Sequence, residues 1–373
     1  MSLTIKQVIN SSDMKSFVNL PFEIYKNNNM WIPPIKADEM KVFSAKTNPA
    51  FEFCDSAFWL VYKNVKCVGR IGAIVNDEYN AKMNEKVGRV ARAEFYDDAE
   101  VVDLLFSTAE KWLKDRGMVS VRGPLGFTNL DLQGLLVEGF DQLPSIGSVY
   151  HLPYYQTHFE RVGYQKEIDW LEFRLTLAKE IPEKALKLKD IIKKRFGLQT
   201  KAFTKSKDLI SYSDDVLNLL EKAFSDLHFV TNFTPALRKF YVEKYFKLLN
   251  PKFVKLVFSK ENVLVGFIIG LPSLSEAMQK ANGKIFPFGI FHILKALKKP
   301  QVVDLLLTGI DPQLQAQGIS ALLITELQQT MIDHNVRYVE TTGIFEDNHK
   351  AIQHWKEYEN IQHKRRRCFI KAL

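Results

Sequence analysis

Cysteine is scarce in this sequence. Its three residues, Cys54, Cys67 and Cys368, are odd in number and form no Cys-x-x-Cys pair, which speaks against both a disulfide framework and a structural zinc site. Buried free thiols are the simple reading. Long apolar runs are missing too: no stretch offers the ~18 uninterrupted apolar residues of a membrane span. The opening "MSLTIKQVINSSDMKSF" lacks the apolar core of a secretory leader, so a cytoplasmic location is expected. No nucleic-acid-binding fingerprint occurs, and the aromatic residues are dispersed instead of being interleaved with one basic patch. His349 and His354 stand five apart, which does not bring them to one helical face, so no metal site is expected.

Positive charge is in excess. The net charge of +8 attracts anions, a class that includes phosphate-bearing cofactors as well as nucleic acids, and charge alone does not choose between them. With 46% hydrophobic and 25% charged residues, the composition is that of a soluble globular chain. Its 373 residues exceed the roughly 250 to 300 at which single cores stop growing, so two domains are expected.

Internal repetition organises those domains. In the first half, "FWLVYKNVKCVGRIGAIV" (Phe58 to Val75) reads as a hairpin turning at Lys63 to Lys66. A strand "VGRVARAEF", a helix "AEVVDLLFSTAEKWLKDRG" stopped by Gly117, and a strand "MVSVRGP" follow. "GPLGFTNLDLQGLLVEGFD" reads as a loop offering Thr128, Asn129, Asp131 and Gln133 to an acceptor pocket, or as a plain connection; a helix and a terminal strand come after it. The second half repeats that order. "FVKLVFSKENVLVGFIIGL" is its hairpin, "VVDLLLTGI" its third strand, "ISALLITELQQTMIDHN" a helix and "VRYVETTGI" a strand. "NHKAIQHWKEYE" is its last helix and "HKRRRCFIKAL" its last strand. "TPALRKFYVEKYFKLL" reads as one of the helices ahead of the hairpin. The fold class is therefore α/β, with units at 1–178 and 179–373 and a connection near Ala178 to Lys189. One insertion breaks the repeat: residues 273–300 mix Phe286, Phe288, Phe291, Ile293 and Leu294 with Lys295, Lys298 and Lys299. It reads as a helix covering the sheet, a lid over an apolar or acyl substrate, or a surface that touches membrane through 285–299.

Between "VVDLLLTGI" and the helix that follows lies an uncharged turn, Gln315-Ala316-Gln317-Gly318-Ile319-Ser320. Backbone N–H groups at a helix start lack intrahelical partners, and with the positive end of the helix dipole they form an anion site that a pyrophosphate suits. This turn resembles the Q/R-x-x-G-x-G/A signature of the GNAT superfamily of acyl-CoA-dependent N-acyltransferases. The strand before it, the helix after it, and Asn348-x-x-Ala351 opening a later helix fit the same family. The resemblance implies two tandem GNAT-like domains, each a mixed, mostly antiparallel sheet flanked by helices. It implies acetyl-CoA or a longer acyl-CoA as co-substrate, with a small-molecule or peptide amine as acceptor. Gln315 to Ser320 would hold the pyrophosphate, while Thr308, Gly309, Ile310 and Asn348 would meet the pantetheine arm. Two departures stand out: Ser320 replaces the final Gly or Ala, and Trp355 falls where the family often has a Tyr that protonates the leaving thiolate. Tyr358 lies one turn on. In the first half, Asp97, Asp98 and Glu100 occupy the phosphate positions, so that unit is expected not to bind CoA.

For proton handling the candidate is Glu340, on the strand beside the cofactor strand, with an ordinary paired carboxylate as the alternative. Glu346 and Asp347 read as loop or capping carboxylates, and Asn348 as a pantetheine contact or a helix cap. Lys364 to Arg367 reads as solvated or as a receiver for anions. Two rivals to an acyl-CoA-dependent N-acyltransferase remain from the sequence: a catalytically degenerate GNAT-like binder, and an aminoacyl-tRNA-dependent transferase of the FemABX type.

Overall fold

Asn64 and Asn262 take left-handed backbone conformations, φ 56° and 59°, and each turns a pair of apolar strands back on itself. Around these two hairpins the chain builds the same unit twice. The computed structural model describes residues 2–246, 249–356 and 358–373. The first half runs β1 (Leu3–Gln7), α1 (Ser11–Ile24), α2 (Lys36–Val42), β2 (Cys54–Lys63), β3 (Lys66–Asn76), α3 (Asp77–Met83), β4 (Val87–Phe95), α4 (Ala99–Lys114), β5 (Ser120–Gly123), β6 (Leu135–Glu138), α5 (Tyr154–Arg161) and β7 (Gln165–Thr176). The second half opens with α6 (Glu183–Phe196), β8 (Gln199–Lys201), α7 (Ser206–Ile210), α8 (Ser213–Phe224) and α9 (Pro235–Tyr245). It continues through β9 (Val254–Phe258), β10 (Leu264–Pro272), α10 (Ser275–Ala281), α11 (Gly289–Lys298), β11 (Val302–Ile310), α12 (Ile319–Asp333), β12 (Tyr338–Thr341), β13 (Ile344–Phe345), α13 (His349–Trp355) and β14 (Asn360–Ala372).

All strands join one sheet in the order β1-β2-β3-β4-β5-β14-β7-β12-β11-β10-β9-β8, with β6 beside β14 and β13 beside β7. Pairing is antiparallel except for β4 with β5 and β11 with β12. The order is symmetric about its centre, and there the halves exchange strands. β7, from the first half, pairs with β12, while β14, from the second, pairs with β5. The exchange explains the run Lys364 to Arg367. Of the two sequence readings, solvated residues or receivers for anions, the first does not hold: Lys364 and Arg366 are 0% and 4% exposed, and Arg365 and Arg367 both bond the Asp169 carboxylate. Arg366 Nε lies 2.6 Å from Glu172 Oε1, which also accepts from Ser148 Oγ at 2.6 Å. Buried charges need such partners, and here one half supplies the acids and the other the bases.

The three larger apolar clusters back the sheet. α4 covers the first half with Val101, Leu105 and Phe106; α6 and α12 cover the second with Ile192, Leu322 and Leu327. The third cluster lies on the opposite face and bridges both halves, joining Phe17, Phe43 and Phe58 to Leu217, Leu237 and Phe267. Two segments differ from the sequence reading. The stretch read as a loop after β5 contains β6, paired to β14, and most of the connection after Ala178 is α6. The inserted segment holds two helices, α10 and α11. Lys247 and Leu248, within the expected helix "TPALRKFYVEKYFKLL", and Glu357, within "NHKAIQHWKEYE", lie outside the described residues.

Candidate functional site

β11 has two neighbours for only part of its length. Its parallel pairing with β12 ends at Leu305 and Thr341, whereas its antiparallel pairing with β10 runs on to Ile310 opposite Gly266. Thr342 closes the junction: its N–H donates to Leu305 O at 3.2 Å and its hydroxyl to Leu306 O at 3.1 Å. From Leu307 to Gly309, β11 therefore presents, on the side away from β10, an edge with no strand paired to it among the described residues, and such an edge can pair with an extended ligand carrying amides. Gly309 is needed there because any β-carbon would strike the Phe267 ring.

At the end of β11, Asp311 caps a short turn through Gln313 N and pairs with Lys222 at 2.7 Å. Ala316 and Gly318 both take positive φ, 63° and 85°, and Gly318 starts α12 with no side-chain cap. The first N–H groups of α12 thus keep their donors, with no acidic residue in that turn. Gln315 and Ala316 are exposed, Ser320 is half-buried, and Ile319 anchors the turn in the core.

The equivalent features of the first half are filled. Phe95, at the end of β4, donates its N–H to Tyr155 Oη at 3.0 Å and accepts from Tyr154 Oη at 2.7 Å. Tyr155 stacks on the Phe95 ring, centroids 4.4 Å apart. Glu94 accepts from Tyr25 and Tyr155, at 2.6 and 2.8 Å, and burial holds its carboxyl above the usual range. Asp98 caps α4 and binds Lys63 at 2.9 Å, so a carboxylate occupies the helix start. The α5 tyrosines take the strand edge that α13 leaves open in the second half, where His349 and Lys350 open the helix.

A cavity of about 650 Å³ joins the halves on the face opposite α12. Its volume is that of a small-molecule site, for which roughly 300 to 1,000 Å³ is usual. The β11 edge enters it through Leu305, Leu306, Leu307 and Thr308, and α13 through Asn348, Ala351 and Trp355. Leu217, Leu220, Phe224 and Tyr241 form its apolar body, and the first half closes it with Trp31, Ile35, Val42 and Phe43. Polar groups sit along its first-half wall. Arg92 pairs with Glu39 at 3.2 Å, and His151, held neutral by burial with its pKa pushed down to about 3, accepts from Leu136 N–H. Asn129, Asp131 and Gln133 line the same cavity, while Thr128 hydrogen-bonds to Tyr241.

The expected residues separate into three places. Thr308 and Asn348 meet at the cavity; Asn348 also caps α13, its Oδ1 accepting from Ala351 N at 3.1 Å. Gly309 and Ile310 continue the β11 edge toward the turn Gln315 to Ser320, which lies beyond the cavity wall. Glu340 is elsewhere. Its oxygens lie 2.5 Å from Arg174 Nε and 2.7 Å from His363 Nε2, it is 7% exposed, and it is not part of the cavity wall. Its geometry is that of the paired strand carboxylate. Register puts Asp304 opposite it, fully buried, with its pKa pushed up to about 8 by burial. Tyr358 packs beside Trp355 and likewise does not line the cavity.

One polar group of the wall was missed in the sequence. His228 follows α8, lines the cavity and places Nε2 2.7 Å from Asp347 Oδ2, just ahead of Asn348. The two residues are 119 apart in the chain, and "SDLHFVTNF" carries no periodicity, so nothing in the sequence pairs them. A carboxylate on Nε2 fixes the tautomer with the proton there and leaves Nδ1 as an acceptor.

No family model matches the chain. It is 28% identical to Protein YghO of Escherichia coli over 92% of this chain and 89% of that protein. To the bacterial ceramide synthase of Caulobacter vibrioides it is 27% identical, over 100% of this chain and 98% of that one. Among solved structures, a tandem GNAT protein from the clavulanic acid biosynthesis pathway matches over 100% of this chain and 98% of its own, with TM-score 0.57 at 13% identity. The fold of this chain is the doubled GNAT fold.

Proposed function

We propose that this chain transfers an acyl group from an acyl-CoA to the amine of a long-chain acceptor. The observation that carries the reading is the cavity. It is predominantly apolar, it begins at the unpaired edge of β11 beside α13, and it extends across both halves. A site for a two-carbon acyl group and a small amine would not need that volume of apolar wall. The relative named a ceramide synthase supports the same chemistry, since a ceramide is the amide of a fatty acid and a long-chain amino alcohol.

The residues fit a CoA thioester as substrate. The uncapped N–H groups from Gly318 onward would hold the pyrophosphate, and the edge of β11 from Leu307 to Gly309 would pair with the pantetheine amides. The thioester would then lie near Thr308, Asn348 and Trp355, with the acyl chain in the apolar body of the cavity. For the reaction, the amine nitrogen attacks the thioester carbonyl, the C–S bond breaks and the thiolate leaves. The attacking nitrogen must lose one proton. His228 is the group we assign to that proton, taking it on Nδ1 while Asp347 stabilises the resulting imidazolium. Trp355 places an indole N–H, unpartnered among the described residues, at the cavity, where it can donate a hydrogen bond but not a proton. Placement of amine and thioester together supplies the larger part of the acceleration.

The test is thiol release from palmitoyl-CoA with a long-chain amino alcohol, for the parent and for His228→Gln. The variant should lose about 100-fold or more in kcat, the low end of general-base effects, while CoA still protects it against unfolding. Equal kcat in the two proteins would remove His228 from the mechanism. No thiol release by the parent with any amine would leave a binder.

A further inference from the structure

The inserted segment carries an apolar surface that faces solvent. Phe286, Phe288 and Phe291 are 75%, 72% and 66% exposed, and Leu294 is 47% exposed. α11 is apolar on two sides. Ile293, Ala296 and Leu297 pack against the core that bridges the halves, whereas Phe288, Phe291 and Leu294, spaced three apart, point away from it. None of the exposed four lines the cavity, so the segment is not folded over it as a lid. Aromatic side chains clustered on one exposed patch are costly in water and mark a contact surface.

Charge identifies the partner. Lys284, Lys295, Lys298 and Lys299 belong to the same segment as these side chains, and Glu276 is the sole carboxylate from Ser275 to Pro300. Apolar anchors in a lysine-rich segment suit the headgroup region of an anionic bilayer, where rings enter the acyl boundary and ammonium groups meet lipid phosphates. A second copy of this chain, itself at +8, would bring like charge to the same patch.

The patch is also tied to the cavity. Lys36 N–H donates to Gly283 O at 3.1 Å, and Gln279 Nε2 donates to Asn29 O at 2.6 Å and to Trp31 O at 3.2 Å. Trp31 and Ile35 of that arm, with Met278 of α10, form part of the cavity wall. We propose that Phe286 to Lys299 docks the protein on anionic lipid surfaces, placing the Trp31 to Ile35 wall of the cavity beside the membrane from which a long-chain acceptor is drawn. The supply of acceptor rests on the N-acyltransferase reading; the docking itself does not.

The experiment is flotation of the full chain with vesicles of phosphatidylcholine alone and of phosphatidylcholine with 30 mol% phosphatidylglycerol, about the anionic content that separates charge from mere apolarity. Phe288→Ser/Phe291→Ser and Lys295→Glu/Lys298→Glu are compared with the parent, after circular dichroism and melting confirm an unchanged fold. The parent should float with the anionic vesicles. The phenylalanine variant should bind at least about tenfold less. The lysine variant should lose more at low salt than at high salt, at about fivefold per lysine removed from the lipid surface. Parent protein that stays in solution with anionic vesicles, or variants that float like the parent, would overturn the proposal. So would a patch that holds a dimer in light scattering which the phenylalanine variant dissolves. Thiol release from palmitoyl-CoA with a long-chain amino alcohol dispersed in detergent micelles, which needs no vesicle, is measured on the same samples. Flotation without turnover would sink the enzyme reading and leave the docking; turnover without flotation would do the reverse.

Discussion

Gly318 offers the sharpest test of the proposed phosphate site, because its two demands can be separated. It sits at φ 85° at the start of α12, and a β-carbon there would lie 2.5 Å from Ile192 Cδ1. Left-handed backbone costs a residue with a side chain roughly 1 to 2 kcal/mol, and the Ile192 contact adds to that unless α6 shifts. Gly318→Ala should therefore lower stability by about 1 to 2 kcal/mol yet keep the N–H donors, leaving CoA affinity within several-fold. Gly318→Glu pays the same backbone cost and also sets a carboxylate beside the bound phosphates. One unit pair at 4 Å in water is worth about 1 kcal/mol, so two phosphate charges give roughly 2, and the helix dipole adds about 0.3 to 1 that the carboxylate now takes for itself. The sum, on the order of 2 to 3 kcal/mol, is a loss of about 30- to 150-fold in Kd. Urea unfolding gives the stability term, and calorimetric titration with CoA gives the affinity at low and high salt. Screening should shrink the Glu penalty at 1 M salt, where the Debye length is about 3 Å, and leave the Ala value unchanged. A Glu variant that binds CoA within about twofold of the parent would refute the assignment of the phosphates to this turn.

Three further outcomes follow from the buried charges. Arg366→Met leaves Glu172 without its guanidinium in the strand exchange and should cost about 3 to 5 kcal/mol, seen in urea unfolding, with Glu172→Leu restoring most of it. Asp304 is protonated in the fold up to about pH 8 but ionises near pH 4 when unfolded, so the native state binds the extra proton between those values. Stability should therefore fall as pH rises from 4 to 8, by at most about 1.4 kcal/mol per pH unit from this group. Asp304→Asn should remove that slope, and a variant with the parent's slope would contradict the burial argument. Glu340→Gln should weaken the Arg174 pair and lower stability by about 1 to 3 kcal/mol while kcat per folded molecule stays within a few-fold. A 100-fold loss of kcat in a fully folded Glu340→Gln sample would return the proton to that carboxylate.

The doubled unit was legible because each half repeats a hairpin, a third strand, a helix and a strand, and hydrophobic periodicity reports those elements locally. The turn before α12 was legible as local structure for the same reason: strand, small uncharged residues and helix are contiguous from Val302 to Asp333. Partners distant in sequence were not legible. The exchange of β7 and β14 rests on pairing between strands nearly 200 residues apart, as in Arg366 with Glu172, 194 apart. A basic run such as Lys364 to Arg367 looks solvated until the acids opposite it are known. Alternation on a strand beside β11 points Glu340 toward the cleft. That face of the strand instead meets Arg174 of β7 and His363 of β14, and β14 is itself flanked by β6, hidden in a glycine-punctuated stretch. His228 and Asp347 become a pair only once the segment after α8 is laid against the start of α13.

The most direct measurement is a mass-resolved product analysis: the purified chain with isotope-labelled acyl-CoAs of two and sixteen carbons and a long-chain amino alcohol. A labelled N-acyl amide is expected, formed faster from the sixteen-carbon donor, with one free thiol released per amide. Untouched acyl-CoA, label appearing only in free fatty acid, or an amide formed from the two-carbon donor alone would contradict it.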